Sequence, residues 1–177
     1  VEIEELGMTD DEIRSLKKLH IVACGSAYHT GFTSKYVFEG MARIPVEVDL
    51  ASEFRYRDPI LDEGDLVIII SQSGETADSL AALREAKARG ARTLGIVNVV
   101  GSSIAREADN VMYTWAGPEI AVATTKAYSA QLIAQYLLAI KFALVRGTVT
   151  DQEAAGMLGD LKKLPEQIER LLSSKEK

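Results

Sequence analysis

A chain of 177 residues, 47% hydrophobic and 26% charged, is the size of one ordinary domain and too apolar to be dominated by disorder. Its 20 basic and 26 acidic residues leave a formal charge of −6, which disfavours nonspecific nucleic-acid binding. The single cysteine excludes an internal disulfide framework and suits a reducing, cytoplasmic setting.

The chain opens Val1-Glu2-Ile3 without an initiator Met, as expected of a polypeptide processed or cut from something longer. Acidic Glu2, Glu4 and Glu5 do not match the order of a signal peptide. Thr9-Asp10-Asp11-Glu12 reads as a capping box opening a short helix that ends near Lys18. His20 to Cys24 is an apolar run stopped by Gly25, the length of a buried strand. Residues 27–42 suit a helix, with Phe32, Tyr36, Val37 and Met41 forming its apolar stripe until Ile44-Pro45 breaks it. Val46 to Leu50 alternates like a strand nearer an edge. Asp65 to Ile70 is the strongest strand, with the β-branched run expected of a parallel strand covered on both faces. A helix follows over 76–89, with Leu80 and Leu83 facing the core and Gly90 as its C-cap. Thr93 to Asn98 is the next strand, Ser102 or Ser103 caps a short helix ending near Ala108, and Val111 to Thr114 is the fifth strand.

A long apolar helix is predicted over 125–146, ended by Gly147. Ser129, Gln131, Gln135 and Lys141 interrupt it, so a helix buried on more than one side is the better reading than a membrane span. Thr150-Asp151-Gln152-Glu153 is a second capping box, opening a helical region that Pro165 kinks or breaks. Three segments result: a helical lead-in over 1–18, a central domain over 19–147 and a helical extension over 148–177. Strand–helix alternation implies a three-layer α/β fold around a five-stranded parallel sheet, in the flavodoxin-like order 2-1-3-4-5.

In that order ligands bind where the strand order reverses, beyond the carboxyl ends of the first and third strands. Cys24-Gly25-Ser26-Ala27 and Ser71-Gln72-Ser73-Gly74-Glu75-Thr76 stand there. The second loop sets three hydroxyls and an amide directly before a helix, whose N-terminal amides and dipole favour an anion. Gly74 lets the backbone turn closely around a bound group. Neutral donors of this kind suit a phosphate monoester. The alternative is that Ser71 or Ser73 merely caps the helix. No GxxxxGK[ST] or GxGxxG fingerprint occurs. A third loop, 118–126, brings Glu119, Val122, Thr124, Thr125 and Lys126 to the same edge, either to line a pocket or only to cap the long helix. Cys24 reads as a small buried apolar residue in preference to a nucleophile. Trp115 reads as a packing residue, and the two His and one Cys are too far apart to suggest a metal site.

The sequence C-G-S after a strand, A-S-E-F-R-Y-R over 51–57, S-Q-S-G-E-T-A-D over 71–78 and T-K-A-Y over 125–128 resembles the sugar isomerase (SIS) domain. More closely, it is similar to the first of the two SIS domains of the glucosamine-6-phosphate synthase family. The resemblance implies that Ser71, Gln72, Ser73 and Thr76 hold a sugar phosphate, either fructose 6-phosphate or glucosamine 6-phosphate. Ser26 would contact the sugar and the Val122 backbone its hydroxyls. Cys24, Gly25, Gly74, Glu75, Glu119, Thr124, Thr125 and Lys126 would be further pocket lining. Ala27 stands where the family often has a phosphate-contacting hydroxyl. The resemblance also implies no cofactor, no metal and no catalytic residue in this chain, because the family's acid/base groups belong to a second SIS domain. The implied partners are that domain and a glutaminase domain of the same parent chain, in a homodimer, with no nucleic acid and no membrane.

Rival readings are a single-domain phosphosugar isomerase, with Glu75, Glu119 or His29 as its base, and an effector-sensing domain. The first 18 residues are too short and acidic to add the helix-turn-helix that such a sensor carries. The stripe Leu158, Leu161, Leu164, Ile168 and Leu171 is expected to pack on a partner lobe or a second copy.

Overall fold

The computed structural model describes residues 2–174; Val1 of the expected lead-in and residues 175–177 of the expected extension lie outside them. After a 3-10 turn at Glu4–Leu6, the order is α1 (Asp10–Ser15), β1 (Lys18–Ala23), α2 (Gly25–Val37), β2 (Val46–Leu50), α3 (Ala51–Phe54), β3 (Asp65–Ser71), α4 (Ala77–Ala88), β4 (Arg92–Val97), α5 (Ser103–Glu107), β5 (Asn110–Tyr113), α6 (Lys126–Val145) and α7 (Asp151–Ser173). All the strand pairs are parallel and the sheet order is β2-β1-β3-β4-β5, as the alternation predicts.

Successive side chains of a strand point to opposite faces, so a centrally placed strand must be apolar throughout. β3 meets this requirement. Leu66, Ile68 and Ile70 join the core beneath α2 and α6, with Ala134, Leu138 and Phe142. Val67 and Ile69 join the second core, beneath α3, α4 and α5, with Phe54, Leu83 and Ile104. Leu6 and Ile13 from the lead-in are built into the first core. Both capping boxes form: Thr9 and Thr150 accept from the amides of Glu12 and Glu153, whose carboxylates reach back. α6 is long and apolar enough to cross a membrane by length and composition, but it is a core helix here, with Leu138, Ala139, Phe142 and Ala143 fully buried.

Three expectations are corrected. The helix over 27–42 is instead α2 to Val37 followed by a π-helical turn, Phe38–Ala42. Its stripe is also different: Phe32 and Tyr36 are exposed, and the inner face is Ala27, Thr30, Gly31 and Ser34. Small residues are needed because α2 lies very close to the sheet; a Cβ on Gly31 would stand 2.9 Å from the Ile21 side chain. Second, α7 is not broken: Pro165 lies inside one continuous helix. Third, Trp115 is not a packing residue of the core. It is 74% exposed with φ 51°, on the segment leaving β5, beside Tyr113.

Candidate functional site

The register between the two central strands builds the site. Ala23 pairs with Ile70, so Cys24 and Ser71 follow side by side at the carboxyl edge. There the chain leaves β1 into α2 on one face of the sheet and leaves β3 toward α4 on the other. A cavity of about 370 Å3 opens between the two departures. It is lined by Cys24, Gly25, Ser26, Ser71, Gln72, Ser73, Thr76, Val122 and Thr124 among the expected residues, together with Ala27, Ile70, Ser79 and Gln131. No lining residue is charged.

The loop from Ser71 to Thr76 is held from within. Ser71 Oγ accepts from the Gly74 amide at 3.0 Å and lies 3.2 Å from Thr76 Oγ1. Ser73 Oγ accepts from the Glu75 amide at 3.2 Å. It is also tied to the neighbouring strand exit, because the Asn98 amide donates to Gln72 O and the Ile104 amide to Gly74 O. Gly74 has φ +67°, and a Cβ there would fall 2.0 Å from Ser102 Oγ. The glycine is thus required by the protein's own packing, on the side away from the cavity.

Neither Ser71 nor Ser73 caps α4. Its N-cap is Thr76, which makes no side-chain cap bond, and among the described residues the amides of Ala77, Asp78 and Ser79 have no protein partner. α2 likewise starts from Cys24 without a side-chain cap. Two helix N-termini, each with the positive end of a dipole equivalent to roughly half a charge, therefore meet at one uncharged cavity. The next two helices are different. Glu75 accepts from the Ser103 amide and hydroxyl, both at 2.7 Å, at the start of α5. Glu119 accepts from the Thr125 and Ala127 amides, both at 3.2 Å, at the start of α6. The Ser103 hydroxyl, then its amide, hold the Glu75 carboxyl below the usual glutamate range. The Ala127 amide does most to lower that of Glu119.

These contacts correct part of the expected lining. Gly74, Glu75, Glu119, Thr125 and Lys126 do not line the cavity. Gly74 packs on Ser102, the two glutamates serve α5 and α6, and Thr125 and Lys126 are exposed at the start of α6. His29, the third candidate base, is exposed and also outside the lining. Val122 lies on the rim, its side chain fully exposed. Cys24 is half-buried, packs against the second core and accepts a long contact from Ser79 Oγ at 3.9 Å. Ser79 and Gln131 were missed by sequence reasoning. The signal for Gln131 was present, since it is one of the polar interruptions of the apolar helix.

A larger cavity of about 500 Å3 lies at the opposite sheet edge. Its two basic residues are already paired, Arg92 with Glu12 at 2.8 Å and Lys87 with Asp109 at 2.7 Å. The strand pairing also brings His20 beside Glu47, and His20, Glu47 and Asp49 offer three ligand-type atoms within 4.8 Å of one another. Lys18 and Arg57 pair with Glu47, and Arg57 with Asp49 at 2.7 Å, so those carboxylates are neutralised by the protein itself. Burial, then the charge of Lys18, push the His20 pKa down.

The model of the SIS domain family matches residues 12–141. The isomerizing glutamine–fructose-6-phosphate aminotransferase of Caldanaerobacter subterraneus subsp. tengcongensis is 58% identical over 98% of this chain. That of Clostridium acetobutylicum is 56% identical over the whole chain. This chain spans 29% of the length of each of those two relatives. Among solved structures, the C-terminal domain of glucosamine-fructose-6-phosphate aminotransferase from Francisella tularensis superposes with a TM-score of 0.85 at 40% identity, covering 92% of this chain and 46% of that one.

Proposed function

From the premise that the chain belongs to the SIS domain family, we propose that it is the phosphosugar-binding lobe of an isomerising glutamine–fructose-6-phosphate aminotransferase. The parent enzyme would convert fructose 6-phosphate and glutamine to glucosamine 6-phosphate and glutamate. A glutaminase domain and a second SIS domain would complete it, in a cytoplasmic homodimer. The segment 148–177 would be the extension toward that second SIS domain. The relatives of 51–58% identity that carry this activity in their names support the reading.

The single observation that carries the ligand class is the pair of uncapped helix N-termini over a neutral, hydroxyl-lined cavity. The free amides of α4 and the hydroxyls of Ser71, Ser73 and Thr76 supply donors for a phosphate dianion. Ser26, at the start of α2, brings a hydroxyl from the other face of the sheet. With no lysine or arginine in the lining, binding rests on directed hydrogen bonds and two dipoles, and its salt dependence is weak. Ala27 supplies no hydroxyl, so Ser26 and the 71–76 loop carry the anchoring. This lobe binds and orients; proton transfer belongs to groups outside it. The capped states of Glu75 and Glu119 and the exposure of His29 speak against a single-domain isomerase that uses one of them as base.

Thermal denaturation of the full chain with fructose 6-phosphate tests the reading. Ligand at 100 times its dissociation constant stabilises by about 2.7 kcal/mol, and Ser73→Ala cuts that stabilisation by about half or more. Absence of any shift at millimolar ligand contradicts a preformed phosphosugar site.

A further inference from the structure

We propose that Gln131 is a specificity-determining residue of this pocket, hydrogen-bonding the hydroxyl-bearing end of a bound phosphosugar. The proposal rests on the phosphosugar reading above and assigns a part of the ligand that the phosphate loop does not account for.

Gln131 is 2% exposed and borders the cavity. Its carboxamide oxygen is buried without a partner among the described residues. A buried amide left unpaired is destabilising, and such groups in native folds signal a missing ligand or water. Two other polar atoms of the α2–α6 seam are also unpaired, Ser34 Oγ and Gln135 Oε1. Neither residue lines the cavity, and Gln135 is partly satisfied, its amide donating to Thr30 Oγ1 at 3.0 Å and to Gln131 O at 3.1 Å. Those bonds fix the helix beneath Gln131, whose side chain borders the cavity.

Position and polarity select the partner. The phosphate loop leads into α4, on the face of the sheet that carries Leu83 and Phe54. Gln131 is on α6, whose neighbours Ala134 and Leu138 belong to the other face, with Ala27 of α2. A ligand anchored by phosphate on the α4 side and lying across the sheet edge presents its far end to Gln131. A phosphate dianion has no hydrogen to give an amide oxygen, whereas a sugar hydroxyl has one. Of the two ends of the ligand, Gln131 Oε1 can accept only from the carbohydrate, and the 71–76 loop reads the phosphate.

Two ligands separate the roles. Binding of fructose 6-phosphate and of inorganic phosphate is measured by calorimetry on the full chain and on Gln131→Met, which keeps the length and removes both polar atoms. The expected result is about tenfold weaker fructose 6-phosphate binding, the loss of roughly one hydrogen bond, with phosphate affinity unchanged. Equal weakening of both ligands, or of neither, overturns the proposal while leaving the phosphosugar reading intact. Failure of the unaltered chain to bind either ligand overturns both. If Gln131→Met does not fold, the side-chain amide resonances of Gln131 in the unaltered protein decide: they shift with fructose 6-phosphate and stay put with phosphate, and any other pattern contradicts the assignment.

Discussion

The amino ends of α5 and α6 are closed by the carboxylates of Glu75 and Glu119, whereas those of α2 and α4 carry no side-chain cap. All four start near the carboxyl edge of the sheet. The same chain therefore knows how to fill a helix terminus and leaves two unfilled, side by side. The difference separates stability from binding. A carboxylate fixed in the chain satisfies the orphan amides permanently, while an open terminus keeps them for an anion that comes and goes. Glu75 and Glu119 adjoin the open loops, yet their carboxylates are turned to α5 and α6, so the cavity stays uncharged and, on the proposed reading, does not repel a phosphate.

Substitutions that blur the two sets break the comparison. The largest effect is expected for Gly74→Ala, which forces a Cβ against Ser102 and a left-handed backbone on a residue that disfavours it. It lowers the melting temperature by about 4 °C or more and eliminates fructose 6-phosphate binding, because the loop moves. Ser73→Ala acts on the open terminus alone. A hydrogen bond to a charged group is worth about 1.5–3 kcal/mol, so binding weakens about ten- to hundredfold, measured by calorimetry, with the unliganded melting temperature nearly unchanged.

Acid titration sharpens the contrast. With no carboxylate, histidine, lysine or arginine in the cavity lining, ligand binding follows the second ionisation of the phosphate ester, near pH 6, and strengthens several-fold from pH 5 to 7. The filled ends respond lower on the scale. Their glutamate pKa values are depressed on folding, so their stabilisation is full above the unfolded value of about 4.3 and is lost as pH falls through the folded value below it. Melting temperature against pH, without ligand, checks that order. The smallest effect is that of Thr150→Ala, which removes one side of the α7 capping box. It costs about 1 kcal/mol, or roughly 2–4 °C, and leaves binding untouched.

The sheet was legible in the sequence because a parallel strand covered on both faces has no polar alternation to confuse it, as Asp65–Ser71 demonstrates. Both capping boxes were legible because they are local, with donor and acceptor three residues apart. The 71–76 loop was legible from its hydroxyl content. Less legible were choices made by distant neighbours. α2 buries Gly31 and Ser34 instead of Phe32 and Tyr36 because the sheet and α6 come close. The targets of Glu75 and Glu119 depend on where α5 and α6 begin, and sequence spacing alone did not show that these carboxylates serve helices rather than the pocket. Gln131 was noticed only as an obstacle to a membrane helix; its place beside Ser71 and Ser26 comes from the packing of α6 on α2.

The most direct measurement is a titration of the isotopically labelled chain with fructose 6-phosphate, followed through backbone amide resonances. The account predicts that the amides of Ala77, Asp78 and Ser79, with that of Ser26, shift first and furthest, while those of Ser103 and Ala127 at the filled ends do not move. Shifts centred on Lys87, Arg92 and Asp109 at the opposite edge, or on the filled ends, would contradict it.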